Sequence, residues 1–313
     1  MINVQNITKR FGETVALRGV SFEVRKGEVL GFLGPNGAGK STTMRIITCY
    51  LPADSGAVTV AGHDVYDDSL EVRRRLGYLP ENAPLYHDMK VSEFLGYIAD
   101  IRQVDRGMRD KRIGRMIEVC GLEKVLHKNI AHLSRGYRQR VGLAQSMLHD
   151  PEILILDEPT LGLDPNQIIE IRELIKNIGQ TKTIILCSHI LPEVQATCSR
   201  IIIINDGRIA ASGSPDELAS KAGGAPVLCL TVRGPAAEVA ERLGRVEGVT
   251  SVKPVGQPAD GLQQFTITGS EESDPGEDLF RAVVEGGWSL SELRREAATL
   301  EDVFTKLTTG ERV

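Results

Sequence analysis

Residues 34–41 read Gly-Pro-Asn-Gly-Ala-Gly-Lys-Ser and decide how the rest of the chain is interpreted. They fit the pattern GxxxxGK[ST], in which glycines let successive backbone N–H groups turn toward phosphates. In this pattern Lys40 neutralises the β- and γ-phosphate charge and the Ser41 hydroxyl coordinates Mg²⁺. We therefore predict a nucleotide site, with Lys40 also a catalytic candidate. The candidate nucleotide-binding residues are Gly34, Pro35, Asn36, Gly37, Ala38, Gly39, Lys40, Ser41 and Thr42.

The residues around this loop supply the strand and the helix that such a site requires. A short apolar run at 28–33 precedes the loop and predicts a buried strand. Residues 41–50 contain no helix breaker and stop before Pro52, so they predict a helix. Strand, glycine-rich loop and helix is the order of a phosphate-binding βα unit, and the helix adds its positive amino end to the site.

A second candidate element reads Ile-Leu-Ile-Leu-Asp-Glu at 153–158, an apolar strand that runs into two carboxylates. Beside a phosphate loop, Asp157 is placed to hold the metal ion. Glu158 is then placed to orient or deprotonate an attacking water. The alternative is two solvated acids at a strand end, and the neighbouring phosphate loop favours the catalytic interpretation.

A third motif gives the chain a resemblance to a known family. Residues 133–140, Leu-Ser-Arg-Gly-Tyr-Arg-Gln-Arg, resemble the signature motif of ABC ATPases, usually LSGGQ. The order of motifs agrees: phosphate loop, signature, ILILDEPT at 153–160, GLDP at 162–165 and Ser-His at 188–189. The resemblance covers about residues 1–220. It implies an α/β P-loop NTPase of the ABC cassette type, with a helical subdomain at about 82–150, that hydrolyses ATP with Mg²⁺.

The resemblance also implies roles for residues outside the phosphate loop. Such proteins work as head-to-tail dimers, so Ser134 and Gly136 would contact the γ-phosphate held by the partner's phosphate loop. His189 would hold the γ-phosphate or the water, and the alternative is a buried, hydrogen-bonded histidine. An aromatic residue near Phe11 would stack on adenine, and the alternative is a plain core residue.

Some positions depart from the family pattern. Glu81 stands where most members have a Gln that reaches Mg²⁺ and couples to the membrane partner, so Glu81 is a third candidate metal ligand beside Ser41 and Asp157. Arg135 and Tyr137 replace the usual Gly and Gln of the signature. Neither of these two changes removes a residue that would contact phosphate.

Other stretches resemble one branch of the family. TLEDVFTKL at 299–307 is similar to the carboxyl-terminal extension of ATPases that power drug, polysaccharide or lipid exporters, and LPEN at 79–82 resembles the branch that includes gliding-motility ATPases. This implies an integral membrane permease as partner, a homodimer or a paralogous ATPase partner, and a cytoplasmic position at the inner face of the membrane. A basic run at 102–115 is either a solvated face or a surface toward a membrane partner.

Composition limits the alternatives. The chain has no apolar stretch near the ~20 residues of a spanning helix, and residues 1–20 lack the apolar segment of a signal peptide. The net charge of −5 argues against a nucleic-acid partner. ABC ATPases that act on nucleic acid or ribosomes usually carry two cassettes or long coiled coils. A soluble or membrane-tethered ATPase doing mechanical or regulatory work without transport stays open.

A new series of predicted strands and helices begins after the Gly- and Pro-containing stretch 222–226. This stretch predicts a linker between a cassette at 1–222 and an accessory domain at 226–313. Strands at 227–233, 249–255, 263–268 and 288–295 alternate with helices at 235–243, 276–286 and 299–308. The order βαββαβ plus a helix predicts a small ferredoxin-like α+β domain. Its 9 basic and 15 acidic residues make it the acidic part of the chain.

Overall fold

The computed structural model describes residues 1–221, 227–259, 261–270, 275–296 and 300–309. The chain divides into two compact units, Met1–Pro215 and Asp216–Val313. The proposed linker at 222–226 lies outside the described residues, so the boundary between 1–222 and 226–313 stays a prediction. Within the described part of the chain, every helix is too short or too polar to cross a lipid bilayer.

The first unit contains a six-stranded sheet of mostly parallel strands. Its strands are β3 (Val29–Leu33), β6 (Leu76–Leu79), β7 (Ile153–Asp157), β8 (Thr183–Ser188), β9 (Arg200–Asn205) and β10 (Arg208–Gly213). They follow the order β10-β9-β3-β8-β7-β6, parallel throughout except for the β9–β10 hairpin. β3, β7 and β8 read as continuous apolar runs because both of their faces are covered. The strand predicted at 28–33 and the strand predicted to run into Asp157 are confirmed.

A second, antiparallel sheet is formed within the first 64 residues. Its strands are β1 (Ile2–Phe11), β2 (Thr14–Val24), β4 (Ser55–Val60) and β5 (His63–Asp64), in the order β2-β1-β4-β5. Along β1, Ile2 and Val4 are buried while Asn3 and Gln5 are exposed, the period-two alternation of a strand with one covered face. These apolar residues join one core with residues of β3, β7 and β8.

The helices before residue 222 are α1 (Lys40–Ile47), α2 (Ser69–Arg75), α3 (Val91–Ile101), α4 (Arg109–Cys120), α5 (Arg135–Met147), α6 (Pro165–Gly179), α7 (Leu191–Thr197) and α8 (Pro215–Lys221). The predicted helix at 41–50 is shorter than expected. It ends at Ile47 because Cys49 adopts a left-handed φ of 60°, while the Thr48 hydroxyl donates to the Met44 carbonyl at 2.9 Å. A side chain that bonds back to its own helix competes with continued helical hydrogen bonding.

The region 88–150 is mostly helical. It holds α3, α4, α5 and two short 3₁₀ helices, Glu123–Val125 and Ile130–His132. α3 buries Phe94, Leu95 and Ile98 at helical spacing. Ile101, which the same periodicity assigns to the buried face, is instead 55% exposed.

The second unit has its own sheet and core. Its elements are β11 (Val227–Arg233), α9 (Ala236–Leu243), β12 (Val249–Ala259), β13 (Leu262–Gly269), α10 (Gly276–Glu285), β14 (Ser289–Glu296) and α11 (Leu300–Thr309). The strands form an antiparallel sheet in the order β12-β13-β11-β14. Leu230 and Phe265 of the sheet pack with Val239 of α9 and Leu279 of α10. The element order is the predicted one.

Candidate nucleotide site

Loops that carry the candidate residues leave the same edge of the six-stranded sheet. β3, β6, β7 and β8 are parallel, and the carboxyl ends of parallel strands meet at one edge. Leu33, at the end of β3, pairs with Ser188 at the end of β8. Asp157, at the end of β7, pairs with Cys187 of β8. The phosphate loop and the segments around 157–158 and 188–189, far apart in sequence, are therefore neighbours.

The phosphate loop joins β3 to α1 through backbone conformations that require glycine. Gly37 has a φ of 81°, and Gly39, the N-cap of α1, has a φ of 107°. A Cβ on Gly39 would lie 2.7 Å from Leu17 Cδ2 and 2.8 Å from the Ala16 carbonyl oxygen. The loop is therefore able to curve around the amino end of α1 only with glycine at this position.

Lys40 is buried, and its ammonium group is held by the loop itself. Its Nζ donates to the Gly34 carbonyl at 2.7 Å and to the Pro35 carbonyl at 3.2 Å. It also lies 3.7 Å from Glu158 Oε1, with both side chains less than a tenth exposed. A phosphate oxygen carries a full charge and is a stronger acceptor for the ammonium than these neutral carbonyls.

Asp157 has the features of a metal ligand. It is 2% exposed, and its Oδ1 has no hydrogen-bond partner among the described residues. Burial raises the pKa of its carboxyl, a hydrogen bond from Ser41 opposes the shift, and the charge of Glu158 adds to it. The negative charge of Glu81 acts in the same direction as that of Glu158. A cation would relieve this unfavourable environment.

The residues present fit Mg²⁺ in particular. Mg²⁺ is usually bound by one or two protein oxygens, with phosphate oxygens and waters completing its shell. The orphaned Oδ1 of Asp157 and the hydroxyl of Ser41 supply two such oxygens beside the phosphate loop. Within the described ranges, no group of three or more His, Cys, Asp and Glu side chains is arranged to hold a metal.

Glu158 and His189 both line the cleft and contact each other directly. His189 Nδ1 lies 2.9 Å from Glu158 Oε2, and the backbone N–H of Glu158 donates to the Cys187 carbonyl at 2.9 Å. Glu158 has a φ of 51°, a left-handed conformation that is uncommon outside glycine. Strained residues of this kind concentrate at functional sites. The carboxylate is thus aimed and hydrogen-bonded rather than solvated.

A cleft of about 380 Å³ brings most of the predicted residues together. It is lined by Ala16, Asn36, Gly37, Gly39, Lys40, Ser41, Thr42, Glu81, Glu158, Leu161 and His189. Sequence reasoning missed Ala16 and Leu161. Leu161 directly follows the 153–160 motif and could have been found there, whereas nothing in the sequence around Ala16 points to a site.

Seven predicted residues do not line this cleft. Gly34, Pro35 and Ala38 belong to the phosphate loop and Asp157 directly precedes Glu158, whereas Phe11, Ser134 and Gly136 come from other segments. Phe11, at the end of β1, is 49% exposed and does not line it. Ser134 is the N-cap of α5 and accepts from the Tyr137 N–H at 3.4 Å. Gly136 packs so closely against the first turn of α6 that a Cβ would lie 2.4 Å from Gln167 Oε1. The signature residues therefore do not line the nucleotide cleft of their own chain.

Replacing Glu81 with glutamine should raise the Mg²⁺ concentration needed for half-maximal hydrolysis. Glu81 lines the cleft, and its charge acts on Asp157, so its removal makes the cleft less attractive to a cation. Because Glu81 is exposed, we expect at most about a fivefold shift. The measurement is ATPase rate against Mg²⁺ at fixed ATP, with Glu93→Gln as control. An unchanged titration would show that Glu81 does not act on the metal.

Comparisons with known proteins agree with a nucleotide site in this cleft. The family model described as ABC transporter matches residues 17–161. The linearmycin resistance ATP-binding protein LnrL of Bacillus subtilis (strain 168) is 36% identical over 235 residues, covering 75% of this chain and 76% of that protein. The daunorubicin resistance ATP-binding protein DrrA3 of Streptomyces coeruleorubidus is 31% identical over 313 residues, covering 99% of this chain and 96% of that protein.

A solved structure of the same kind is the dimeric post-hydrolysis state of the ATP-binding cassette MJ0796, bound to ADP and Pi. It has a TM-score of 0.63 and 27% identity, and the match covers 68% of this chain and 98% of that chain. ATP-binding cassettes of this family bind ATP with Mg²⁺, hydrolyse it, dimerise and pair with a membrane permease. This chain belongs to the ABC transporter family, as an ATP-binding subunit that hydrolyses ATP.

Proposed function

We propose that this chain hydrolyses ATP in a head-to-tail dimer and that the dimer drives a separate integral membrane export permease. The second ATPase is another copy of this chain or a paralogue. The permease holds the dimer at the inner face of the cell membrane. Similarity to linearmycin and daunorubicin resistance ATP-binding proteins supports an export role.

The position of the signature residues is the main observation that supports the proposed dimer. Ser134 and Gly136 sit at the amino end of α5 and do not line their own chain's cleft. The amino end of a helix, with its free N–H groups and partial positive charge, is suited to binding phosphate. A head-to-tail partner brings these residues to the γ-phosphate in the other chain's cleft.

Binding of MgATP uses the phosphate loop and the acidic residues beside it. The loop N–H groups and Lys40 bind the triphosphate. Ser41 and Asp157, with Glu81 nearby, would hold Mg²⁺, which neutralises phosphate charge when bound. Phe11 stacks on the adenine ring, and its half-exposed ring at the end of β1 supports this role.

Hydrolysis uses the pair formed by Glu158 and His189. Glu158 accepts a proton from the water that attacks the γ-phosphorus, and ADP leaves as the P–O bond breaks. His189 holds the Glu158 carboxylate by their 2.9 Å contact and orients the γ-phosphate or the water. The strained backbone of Glu158 supports this assignment.

A groove in the first unit supports a permease as partner. We call it the arginine groove; its volume is about 860 Å³, and its lining includes Arg73, Tyr86, Tyr97, Ile101, Arg102, Gln145 and His149. Tyr86, Tyr97 and Ile101 are large side chains left between 39% and 55% exposed. Aromatic and arginine side chains are enriched at protein interfaces.

Polar groups in the arginine groove call for a partner of matching chemistry. Neither Arg73 nor Arg102 forms an ion pair among the described residues, and burial together with the charge of Arg73 lowers the pKa of Arg102. A permease segment with carboxylates would pair with both arginines.

Affinity capture from detergent-solubilised membranes tests the proposed function. The tagged full-length chain should retain a multi-span integral membrane protein. Arg73→Glu and Arg102→Glu should release it, because each places a like charge against the partner's carboxylates. Arg25→Glu, on an exposed arginine outside the groove, should leave capture intact.

Two results would contradict the proposal. Capture that survives both groove variants would place the permease elsewhere on the cassette. If the tagged chain binds ATP but captures no membrane protein, the result would favour mechanical or regulatory work without transport.

Residues 226–313 are proposed to be an accessory domain that stabilises or regulates the dimer. Every nucleotide-site motif lies before residue 222, and Met1–Pro215 is a compact unit. A chain ending at Ala222 should therefore keep its ATP affinity within about twofold and self-associate more weakly than the full chain. Nucleotide titration and sedimentation check both expectations. A folded truncation that no longer binds ATP would overturn the idea.

A further inference from the structure

A buried carboxylate that the proposed mechanism does not use lies beside the catalytic loops. Glu193, on α7, is 4% exposed. Its Oε2 accepts a hydrogen bond from the Thr160 hydroxyl at 2.5 Å and from the Ser188 hydroxyl at 3.4 Å. Its Oε1 has no hydrogen-bond partner among the described residues.

The two hydroxyl donors belong to the two segments that carry the catalytic pair. Thr160 lies two residues after Glu158, in the loop that follows β7. Ser188 ends β8 and directly precedes His189. One carboxylate oxygen therefore connects the segments whose side chains meet at 2.9 Å.

α7, which carries this carboxylate, packs closely against the central sheet. Val194, the residue after Glu193, packs against Gly31 in β3 so closely that a Cβ on Gly31 would lie 2.2 Å from Val194 Cγ1. β3 leads directly into the phosphate loop. Glu193 thus ties the loops after β7 and β8 to the strand that positions the phosphates.

A carboxylate is energetically unfavourable at a buried position. Its burial costs free energy unless its oxygens are paired, and here the partners are two neutral hydroxyls. Glu193 forms no ion pair within the described ranges. The role that suits this carboxylate is therefore to hold its two donors in place.

We propose that Glu193 is a positioning residue for ATP hydrolysis, which holds Glu158 and His189 at a fixed separation through the hydroxyls of Thr160 and Ser188. The inference rests on the proposed roles of Glu158 and His189. It adds a residue that touches neither the nucleotide nor the water.

Substitution of Glu193 separates positioning from packing. Glu193→Leu removes both acceptors at similar volume, and misplacing the catalytic pair should lower kcat about 10- to 100-fold with little change in KM for ATP. Glu193→Gln keeps one acceptor oxygen and should restore most of kcat. Gln195→Leu, on the exposed side of α7, should behave as wild type.

Removal of the donors gives a second, independent measurement. Thr160→Val and Ser188→Ala should each lower kcat without altering the carboxylate. The effects of Thr160→Val and Glu193→Leu should be less than additive in a double-mutant cycle, because both break the same bond. These variants keep the proposal testable if Glu193→Leu does not fold.

The outcomes separate this inference from the proposed function. Wild-type kcat in Glu193→Leu, with an inactive Glu158→Gln measured in parallel, overturns only the positioning role. So does a Glu193→Gln variant as slow as Glu193→Leu, or a loss of thermal stability in Glu193→Leu with kcat unchanged. Wild-type turnover in Glu158→Gln overturns the proposed catalytic pair and the inference with it.

Discussion

Replacing Glu158 with glutamine should reduce ATP turnover at least about 100-fold and leave ATP bound. Glutamine keeps the size of the side chain but cannot accept the proton of the attacking water. Phosphate binding depends on the loop and on Lys40, which the change does not remove. Losing a negative charge 3.7 Å from Lys40 should, if anything, favour the anionic nucleotide. The variant should therefore accumulate an ATP-bound dimer.

Steady-state ATPase assays and gel filtration with ATP measure these two effects. The matched control is Glu152→Gln, an exposed carboxylate just before the amino end of the same strand, where it pairs with Arg75 at 3.1 Å. It should hydrolyse ATP at the wild-type rate. A Glu158→Gln variant with wild-type turnover would mean that another group serves as the base.

Replacing Lys40 with alanine should weaken ATP binding rather than trap ATP. The lysine is buried and poised over the phosphate loop by two carbonyl hydrogen bonds, and losing one charge-assisted bond to phosphate corresponds to roughly a 10- to 100-fold rise in Kd. The substitution also leaves Glu158 without its cationic neighbour. Both changes increase the negative potential that the triphosphate encounters.

Nucleotide titration followed by a fluorescent ATP analogue checks this expectation, with circular dichroism to confirm folding. Lys26→Ala is the control, since Lys26 is exposed and lies near the opposite end of β3. Unchanged affinity in a folded Lys40→Ala variant would contradict the assigned role of the ammonium group. Together, the two variants distinguish loss of chemistry from loss of binding.

Much of the candidate site was predictable because its residues are adjacent in sequence. The phosphate loop needs glycines at fixed positions, and Gly39 with its φ of 107° shows the physical reason. Asp157 and Glu158 were predictable because a continuous apolar run ends at them, and such a run indicates a strand buried on both faces. Local rules of this kind depend on a few neighbouring residues and can be recognised from the sequence.

Other features are not indicated by local propensity or periodicity. The end of α1 at Ile47 follows from the left-handed Cys49, which no local propensity indicates. Ile101 has the spacing of a core residue, yet it lines the arginine groove because the packing of several elements leaves that end of α3 uncovered. Periodicity identifies the apolar face of a helix, but it does not show where along the helix the packing of other elements against that face ends.

Three features can be read from the order of residues: the phosphate loop, the strand that ends in Asp157 and Glu158, and the family, because each depends on consecutive residues or on the order of motifs. Only the folded chain shows that His189 Nδ1 lies 2.9 Å from Glu158 Oε2 and that Glu193 accepts hydrogen bonds from Thr160 and Ser188. The physical reason is that parallel strands deliver their carboxyl ends to one edge whatever their separation in sequence. Contacts between loops at that edge depend on strand order and register, which only the folded sheet defines.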